Sequence, residues 1–378
     1  MNSFLNFQLL PSIQSTLAEN ELTEPTEIQT RTVPVLIDGR GVVGVAETGS
    51  GKTLAYVLPV LHLLKSMEND GHPVNSDARP RALIIVPTRE LGDQVVRVFK
   101  PFTHTTRLRV RTVLGGMPRA IMRRNLAGHF EILVATPGRA LQMLDQKLLK
   151  LDDVRILVFD EADQMLDQGF LAEANRIVHA CPPERQMVLF AATVSPQVQK
   201  LINTLFSTAE VIRSKGSHRL VPTLTTNNRS LPDGKRFPLL VEILRNRVDG
   251  GTLIFTNTRE QCDKLAEELQ NNGHQCAICR GDMDKSERRA NMKAFREGEI
   301  ELLIATDLAS RGLDLERVDR VINYHLPRES DNYLHRAGRT ARAGRKGLVI
   351  NFVTERDQPL MRRLESIQAI RGPTPKKK

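Results

Sequence analysis

Residues 46–53 read Ala-Glu-Thr-Gly-Ser-Gly-Lys-Thr directly after the apolar run Val42–Val45, and a later apolar run ends in Asp160-Glu161-Ala162-Asp163. A Gly-rich turn entering a helix N-terminus points its backbone N–H groups at phosphate oxygens. Thr48, Gly49, Ser50 and Gly51 supply that cradle, Lys52 adds a point charge, and the Thr53 hydroxyl can ligand Mg²⁺. An acidic residue at a strand end, here Asp160, is where the second support of that ion belongs. The loop departs from G-x-x-x-x-G-K-[ST] at its first position, which Ala46 fills. The two segments together imply that the chain handles a nucleoside triphosphate.

Such residues need strands and helices to bring them together. Short apolar runs alternate with amphipathic stretches throughout, the signature of α/β proteins with parallel sheets. Strands are expected at 42–46, 82–87, 109–114, 131–136, 156–160 and 186–191, with helices such as Lys52–Lys65, Arg89–Phe99 and Pro137–Leu144 between them. After strand-like Ala209–Arg213, the Gly, Ser and Pro of Ser214–Pro222 break the pattern and read as a linker. Alternation resumes with strand 251–255, helix 259–270, strand 275–279, helix 286–297 and strands 301–305, 320–325 and 347–353. The expected organisation is a first lobe over 1–213, a linker over 214–222, a second lobe over 223–370 and a basic tail over 371–378. Each lobe is a mostly parallel sheet flanked by helices. Only the first lobe carries a phosphate loop, so one nucleotide site must serve both. In open α/β sheets sites lie outside the carboxyl ends of the strands. That singles out Thr48–Thr53, Pro87–Leu91, Thr136–Arg139, Asp160–Asp163, Ala191–Thr193, Thr256–Arg259 and Thr306–Asp314.

Composition narrows the class. A length of 378 residues favours two domains, and 40% hydrophobic with 26% charged residues is ordinary for a soluble chain. The longest apolar stretch, Leu54–Leu64, is 11 residues with His62 inside it, too short to span a bilayer. No basic segment precedes an apolar core at the N-terminus, so no secretory signal is expected and the cytoplasm is the default location. Four cysteines do not make a disulfide framework; Cys276-Ala-Ile-Cys279 lacks the second pair that zinc would need and is expected to be buried strand, while Cys181 and Cys262 are isolated. The net charge of +10 is unevenly placed: residues 1–213 carry 23 Lys+Arg against 22 Asp+Glu, and residues 214–378 carry 31 against 22. A polyanion is the natural partner of that second half. Trp is absent and aromatics are only 4%, which argues against a base-stacking platform and for contacts to a nucleic-acid backbone.

The order of the segments carries more than any one of them. Pro25-Thr-Glu-Ile-Gln29, the phosphate loop, Pro87-Thr-Arg-Glu-Leu91, Gly115-Gly116, Thr136-Pro-Gly-Arg139, Asp160-Glu-Ala-Asp163, Ala191-Ala-Thr193, Ala305-Thr-Asp-Leu-Ala-Ser-Arg-Gly-Leu-Asp314 and His335-Arg-Ala-Gly-Arg-Thr-Ala-Arg342 follow one another. In this the sequence resembles the DEAD-box ATP-dependent RNA helicases, from Phe4 to about Phe352. The resemblance implies two tandem RecA-like lobes with the nucleotide in the interlobe cleft, and ATP and Mg²⁺ as cofactors. By the same resemblance Gln29 reads the adenine edge, Phe4 packs on the base, and Lys52 holds the β and γ phosphates. Thr53 and Asp160 hold Mg²⁺, and Glu161 orients and deprotonates the attacking water. Arg339 and Arg342 are arginine fingers; three apart after helix-like Tyr333–Arg336, they can lie on one helical face. Gly312 and Asp314 belong to the nucleotide set, Asp314 at the ribose, and Arg311 links the γ-phosphate region to the RNA face. Pro87, Thr88, Arg89, Gly116, Thr136, Pro137, Gly138, Arg139, Gly281 and Thr306 form the RNA-facing set. Their N–H groups, hydroxyls and guanidiniums suit phosphates and 2′-hydroxyls, so RNA binding without sequence preference is expected. A monomer, with protein partners to direct it to a target and no membrane association, completes the expectation.

Four positions depart from the family pattern. Ala191 replaces a serine of the segment associated with coupling hydrolysis to strand separation, and the lost hydroxyl is expected to weaken that coupling. Glu47 replaces a glutamine in the phosphate loop, Glu21 a glycine before Pro25-Thr26, and Lys285 the glutamine of a Gln-x-x-Arg element whose Arg288 remains. The expected activity is RNA-dependent ATP hydrolysis that locally separates short RNA duplexes or remodels RNA–protein complexes. An ATP-locked RNA clamp and a DNA helicase or translocase are the alternatives.

Overall fold

The computed structural model describes residues 3–366 except Thr48 and the segments 215–222, 232–233, 308–316 and 342–344, and leaves out the side chains of Lys285 and Asp331. Thr48, Arg311, Gly312, Asp314, Arg342, most of the expected linker and the basic tail therefore lie outside the described residues. The chain divides into two compact units, Met1–Ser217 and His218–Lys378.

In the first unit the strands are β1 (Val42–Val45), β2 (Ala82–Ile85), β3 (Val110–Val113), β4 (Ile132–Ala135), β5 (Ile156–Phe159), β6 (Gln186–Ala191) and β7 (Glu210–Arg213). Among the described residues they form one sheet in the order β3-β4-β2-β5-β6-β1-β7, with every neighbouring pair parallel. β1, β2, β4 and β5 contain no polar side chain and are buried along their whole length. That is what a parallel strand covered by helices on both faces requires. Alternate residues enter opposite cores: Val42, Ile84, Val158 and Val188 face one, Val43, Leu83, Leu157 and Leu189 the other. The expected strand 82–87 stops at Ile85, two residues before Pro87, which has no N–H to give a ladder.

The second unit repeats the plan with β8 (Leu224–Ser230), β9 (Gly251–Thr256), β10 (Ala277–Cys279), β11 (Leu302–Thr306), β12 (Val318–Asn323) and β13 (Gly347–Val353). Their order is β10-β11-β9-β12-β13-β8, again all parallel. The sequence reading had no strand between residues 222 and 251. Leu-Thr-Thr-Asn-Asn-Arg-Ser offers no apolar alternation, because β8 lies at the sheet edge and its side chains are mostly exposed. Its partner is β13, in register from Leu224↔Gly347 to Ser230↔Val353. Cys279 is fully buried in β10 as expected, whereas Cys276 precedes that strand and is half-buried. Among the described residues no helix is long and apolar enough to cross a membrane.

Glu21, one of the four departures, has φ +57. This is the left-handed region that glycine enters freely and that costs another residue roughly 1–2 kcal/mol. A glycine at this place is therefore a backbone requirement of the turn after helix Pro11–Glu19, and the exposed Glu21 meets it at some strain.

Candidate functional site

The segments singled out in the first unit lie at one edge of its sheet, in two groups set by strand order. The nucleotide group follows β1, β5 and β6, and the RNA-facing group follows β2, β3 and β4.

In the first group, Gly51 (φ +89) turns the chain into helix Lys52–Asn69. A Cβ at Gly51 would stand 2.4 Å from Gln29 Nε2, so the site demands glycine for both conformation and space. Lys52 is buried and its Nζ donates to the carbonyls of Ala46 (2.6 Å) and Glu47 (2.9 Å). Ser50 Oγ also donates to the Glu47 carbonyl, at 2.7 Å. The Glu47 carbonyl thus organises the loop.

Gln29 is largely committed within the protein. Its Oε1 accepts from Thr26 N–H at 2.9 Å, capping helix Glu27–Ile37, and its Nε2 donates to Gly51 O at 3.0 Å. One N–H and one lone pair remain for a base. Phe4 is 3% exposed and its ring meets Phe7 edge-on with centroids 5.8 Å apart. It packs as core against Phe7, so a base would reach that ring only by displacing this packing.

The acidic group shows a residue that sequence reasoning missed. Tyr56, fully buried on helix Lys52–Asn69, donates its hydroxyl to Asp160 Oδ2 at 2.8 Å and is hydrogen-bonded by the Thr53 side chain. It therefore bridges the two expected metal ligands. Its one signal in the sequence is its place one helical turn after Thr53. Burial, then the Glu161 charge, pushes the Asp160 carboxyl up to about 6, while Lys52 and the Tyr56 hydroxyl pull it down. A buried carboxylate and a hydroxyl are hard oxygen donors, and a divalent cation would relieve the cost of that burial, so the residues fit Mg²⁺. Glu161 has φ +49 and ψ +52, a left-handed conformation worth roughly 1–3 kcal/mol of strain, at the start of helix Ala162–Asp167. Asp160 Oδ1 accepts from the Glu161 N–H at 2.9 Å and helps hold it there.

Asp163 ties this segment to the end of β6. Its Oδ2 accepts from Ala192 N (3.1 Å), Thr193 N (2.9 Å) and Thr193 Oγ1 (3.1 Å). Ala191 is fully buried in the core that also holds Val45 and Leu189. Strand alternation sends the side chain at 191 into an apolar core, and Thr193 supplies a hydroxyl to Asp163.

The second group converges on one groove. Pro87, Arg89, Thr136, Gly138 and Arg139 line it together with Gly115, Gln142 and Phe170. Thr88 stands just outside, its hydroxyl accepting from Leu91 N–H at 3.2 Å to cap helix Arg89–Thr106. Gly116 turns the adjoining loop with φ +75, and Pro137 opens helix Pro137–Asp145. Arg139 Nη1 donates to Gln142 Oε1 at 2.5 Å. Gln142 and Phe170 were not anticipated; they enter through a helix face and a turn that carry no motif.

In the second unit Thr306 ends β11 and Gly281 lies in an exposed turn after β10. Asp307, next to Thr306, is bound by Arg336, whose side chain is only 1% exposed. All five guanidinium donors are used: Nε and Nη2 on Asp307 (2.5 and 2.8 Å), Nη1 on Asn323 Oδ1 (3.1 Å) and His325 O (2.6 Å), and Nη2 also on Asn257 Oδ1 (2.9 Å). The cation also lies over the Phe255 ring, 4.8 Å from its centroid. One side chain thus clamps the ends of β9, β11 and β12. Removing it leaves buried polar partners unpaired, which typically costs 3–5 kcal/mol. Arg336→Ala is expected to lower unfolding stability by that order, and Arg336→Lys, a point charge without the fork, to recover only part of it. Denaturant titration of the purified variants measures both.

Arg339 is also buried, and its Nε donates to His335 O at 3.1 Å. Of the shared helical face expected for Arg339 and Arg342, only Arg339 falls within the described residues. Helix Ser330–Ala337 ends at Gly338, whose N–H closes on the Leu334 carbonyl, so Arg339 lies beyond the last turn.

A family model described as DEAD/DEAH box helicase matches residues 26–201, and one described as helicase conserved C-terminal domain matches residues 235–344. The ATP-dependent RNA helicase CshA of Listeria monocytogenes is 33% identical, over 99% of this chain and 71% of that protein. The ATP-dependent RNA helicase DbpA of Bacillus subtilis is 34% identical, over 99% and 77%. Among solved structures, S. cerevisiae Dbp5 bound to RNA and ADP BeF3 matches with a TM-score of 0.85 at 28% identity, covering 98% of this chain and 95% of that one.

Proposed function

The chain belongs to the DEAD-box ATP-dependent RNA helicases, and from that premise we propose that it hydrolyses ATP when RNA closes its two lobes on each other. The observation that carries this reading is the convergence of Lys52, Thr53, Tyr56, Asp160 and Glu161 at the strand ends of one lobe, beside a groove lined by Arg89, Thr136 and Arg139. Lys52 would exchange its loop carbonyls for the β and γ phosphates. Thr53 and Asp160 would hold Mg²⁺, which when bound would neutralise phosphate charge. Glu161 aligns the attacking water and takes its proton. Arg339, with Arg342, comes from the second lobe to the developing charge on the phosphoryl group.

ATP bridging the lobes and RNA lying across both would each favour the closed state, and so each helps the other bind. A strand bent to fit both lobes does not fit a straight duplex, so local strand separation precedes hydrolysis. Partner proteins, rather than base contacts, would direct the enzyme, which works as a monomer in the cytoplasm. The complete set of ATP residues favours turnover over a static clamp.

Phosphate release measured with ATP or GTP, and with single-stranded RNA or DNA of equal length, tests the reading. ATP with RNA should be the productive pair. Equal stimulation by DNA would assign the translocase alternative, and no stimulation by any polynucleotide would leave only the clamp.

Asp160 adds a pH dependence. Its folded-state value of about 6 lies above the unfolded value, so its own contribution to stability is full below about pH 4 and is lost as pH rises through 6. Mg²⁺ binding runs the other way because it needs the carboxylate: affinity for Mg²⁺–nucleotide should fall as pH drops through about 6. Tyr56→Phe removes a donor that favours the ionised form, so this acidic limb should move to higher pH. Calorimetric titration of Mg²⁺–ADP from pH 5 to 8 checks it, and coincident limbs for the two proteins would remove Tyr56 from that role.

A further inference from the structure

The second lobe carries a cleft that neither the nucleotide nor the RNA-facing residues account for. It is about 360 Å³, within the range of ligand-sized pockets, and lies between the N-terminus of helix Arg236–Leu244 and one face of helix Arg259–Asn271. Among the described residues that line it, Lys235, Arg236 and Lys264 are cationic and Glu268 is acidic. Phe237, Leu265 and Tyr324 provide apolar surface, and Tyr324 is braced by Phe352, its ring centroid 5.6 Å away. His325 lies at one end; burial first, then Arg236 and Arg336, pushes it down to about 4, which makes it a neutral group in a positive corner. The N-terminus of helix Arg236–Leu244 adds the positive end of its dipole to the same field.

The cleft starts at the strand-end edge, where Tyr324 and His325 follow β12, and continues away from that edge along helix Arg259–Asn271. Gln261, Lys264, Leu265 and Glu268 lie along helix Arg259–Asn271, so the lining runs from its first turn down the side of the lobe by about 10 Å at 1.5 Å per residue. An RNA strand on the carboxyl ends of the strands does not follow that direction. An extended peptide would fit, with acidic residues toward the lysines and one large apolar side chain against Phe237, Leu265 and Tyr324.

We propose that this cleft is a docking site for a short acidic segment of a partner protein bearing an aromatic or branched aliphatic anchor. The site does not depend on the ATPase reading, and its test does not use that activity as a signal. It offers a physical means of targeting to an enzyme whose RNA contacts carry no sequence information.

The probe is a display library of random twelve-residue peptides, selected on the full chain and counter-selected on Lys264→Glu. Enriched peptides should combine Asp or Glu with Phe, Tyr, Leu or Ile, and as fluorescent synthetic peptides they should bind Lys264→Glu at least tenfold more weakly than wild type. Replacing the anchor by Ala should weaken binding to a similar extent, and Lys264→Ala should fall between. Thermal unfolding and RNA-stimulated ATP hydrolysis of Lys264→Glu should match wild type, which separates a lost site from a damaged fold. Failure of any sequence to enrich over the counter-selection, enrichment of basic peptides, or displacement of the peptides by a ten-nucleotide RNA would overturn the proposal. Photo-crosslinking of that RNA to Tyr324 would assign the cleft to RNA instead and overturn it equally.

Discussion

Arg339→Ala should reduce RNA-stimulated ATP turnover by about 10³-fold or more while changing nucleotide affinity much less. An arginine finger meets charge that develops only as the phosphoryl group transfers, so its loss falls on kcat. The local structure sharpens this. Arg339 lies beyond the end of helix Ser330–Ala337, is 4% exposed, and is already oriented by its Nε on the His335 carbonyl. Little side-chain entropy remains to be lost on engagement. Arg339→Lys should recover only a small part of the rate, because an ammonium cannot reproduce a planar fork. Steady-state kinetics at saturating RNA, with ADP affinity measured separately, give the partition. A variant that only binds RNA more weakly and turns over normally at saturation would remove Arg339 from the role of arginine finger.

Glu161→Gln should slow hydrolysis by about 10² to 10⁴-fold, the range of a positioned general base, while ATP and RNA binding persist. Glutamine is isosteric and keeps the backbone at φ +49, where Asp160 Oδ1 holds the residue 161 N–H, so the geometry of the site survives as its basicity disappears. Long-lived complexes that need both ATP and RNA should accumulate. Single-turnover quench kinetics and filter retention of labelled RNA report the two effects. Wild-type turnover would take Glu161 out of this role. In the proposed roles Glu161 and Arg339 would act on the same charge redistribution, so the double variant should lose less than the product of the two separate losses.

The apolar runs of β1, β2, β4 and β5 are unbroken because helices cover both sides of the sheet, so burial alone made these strands legible. Their carboxyl ends, and hence the neighbourhood of Gly51, Lys52, Asp160, Pro87 and Thr136, followed from the architecture. β8 was not legible, since an edge strand draws its order from backbone pairing with β13 and needs no apolar side chains. Side-chain roles were harder still. Tyr56 reads as one more apolar residue of a helix until helix Lys52–Asn69 is laid beside the end of β5, where its hydroxyl meets Asp160. Arg336 is one of three arginines in its segment, and only the meeting of β9, β11 and β12 gives it five acceptors and removes it from the surface.

Ala191 marks the boundary between the two kinds of knowledge. Its departure from the family pattern was visible in the sequence, but the consequence depended on which face of β6 it occupies and on whether another hydroxyl reached Asp163. Periodicity and motif order are local, so the available chemistry and the strand ends that carry it can be read along the chain. Which side chains are spent on holding the site and which remain for ligands emerges only on folding, because hydrogen-bond capacity is shared among residues far apart in the chain.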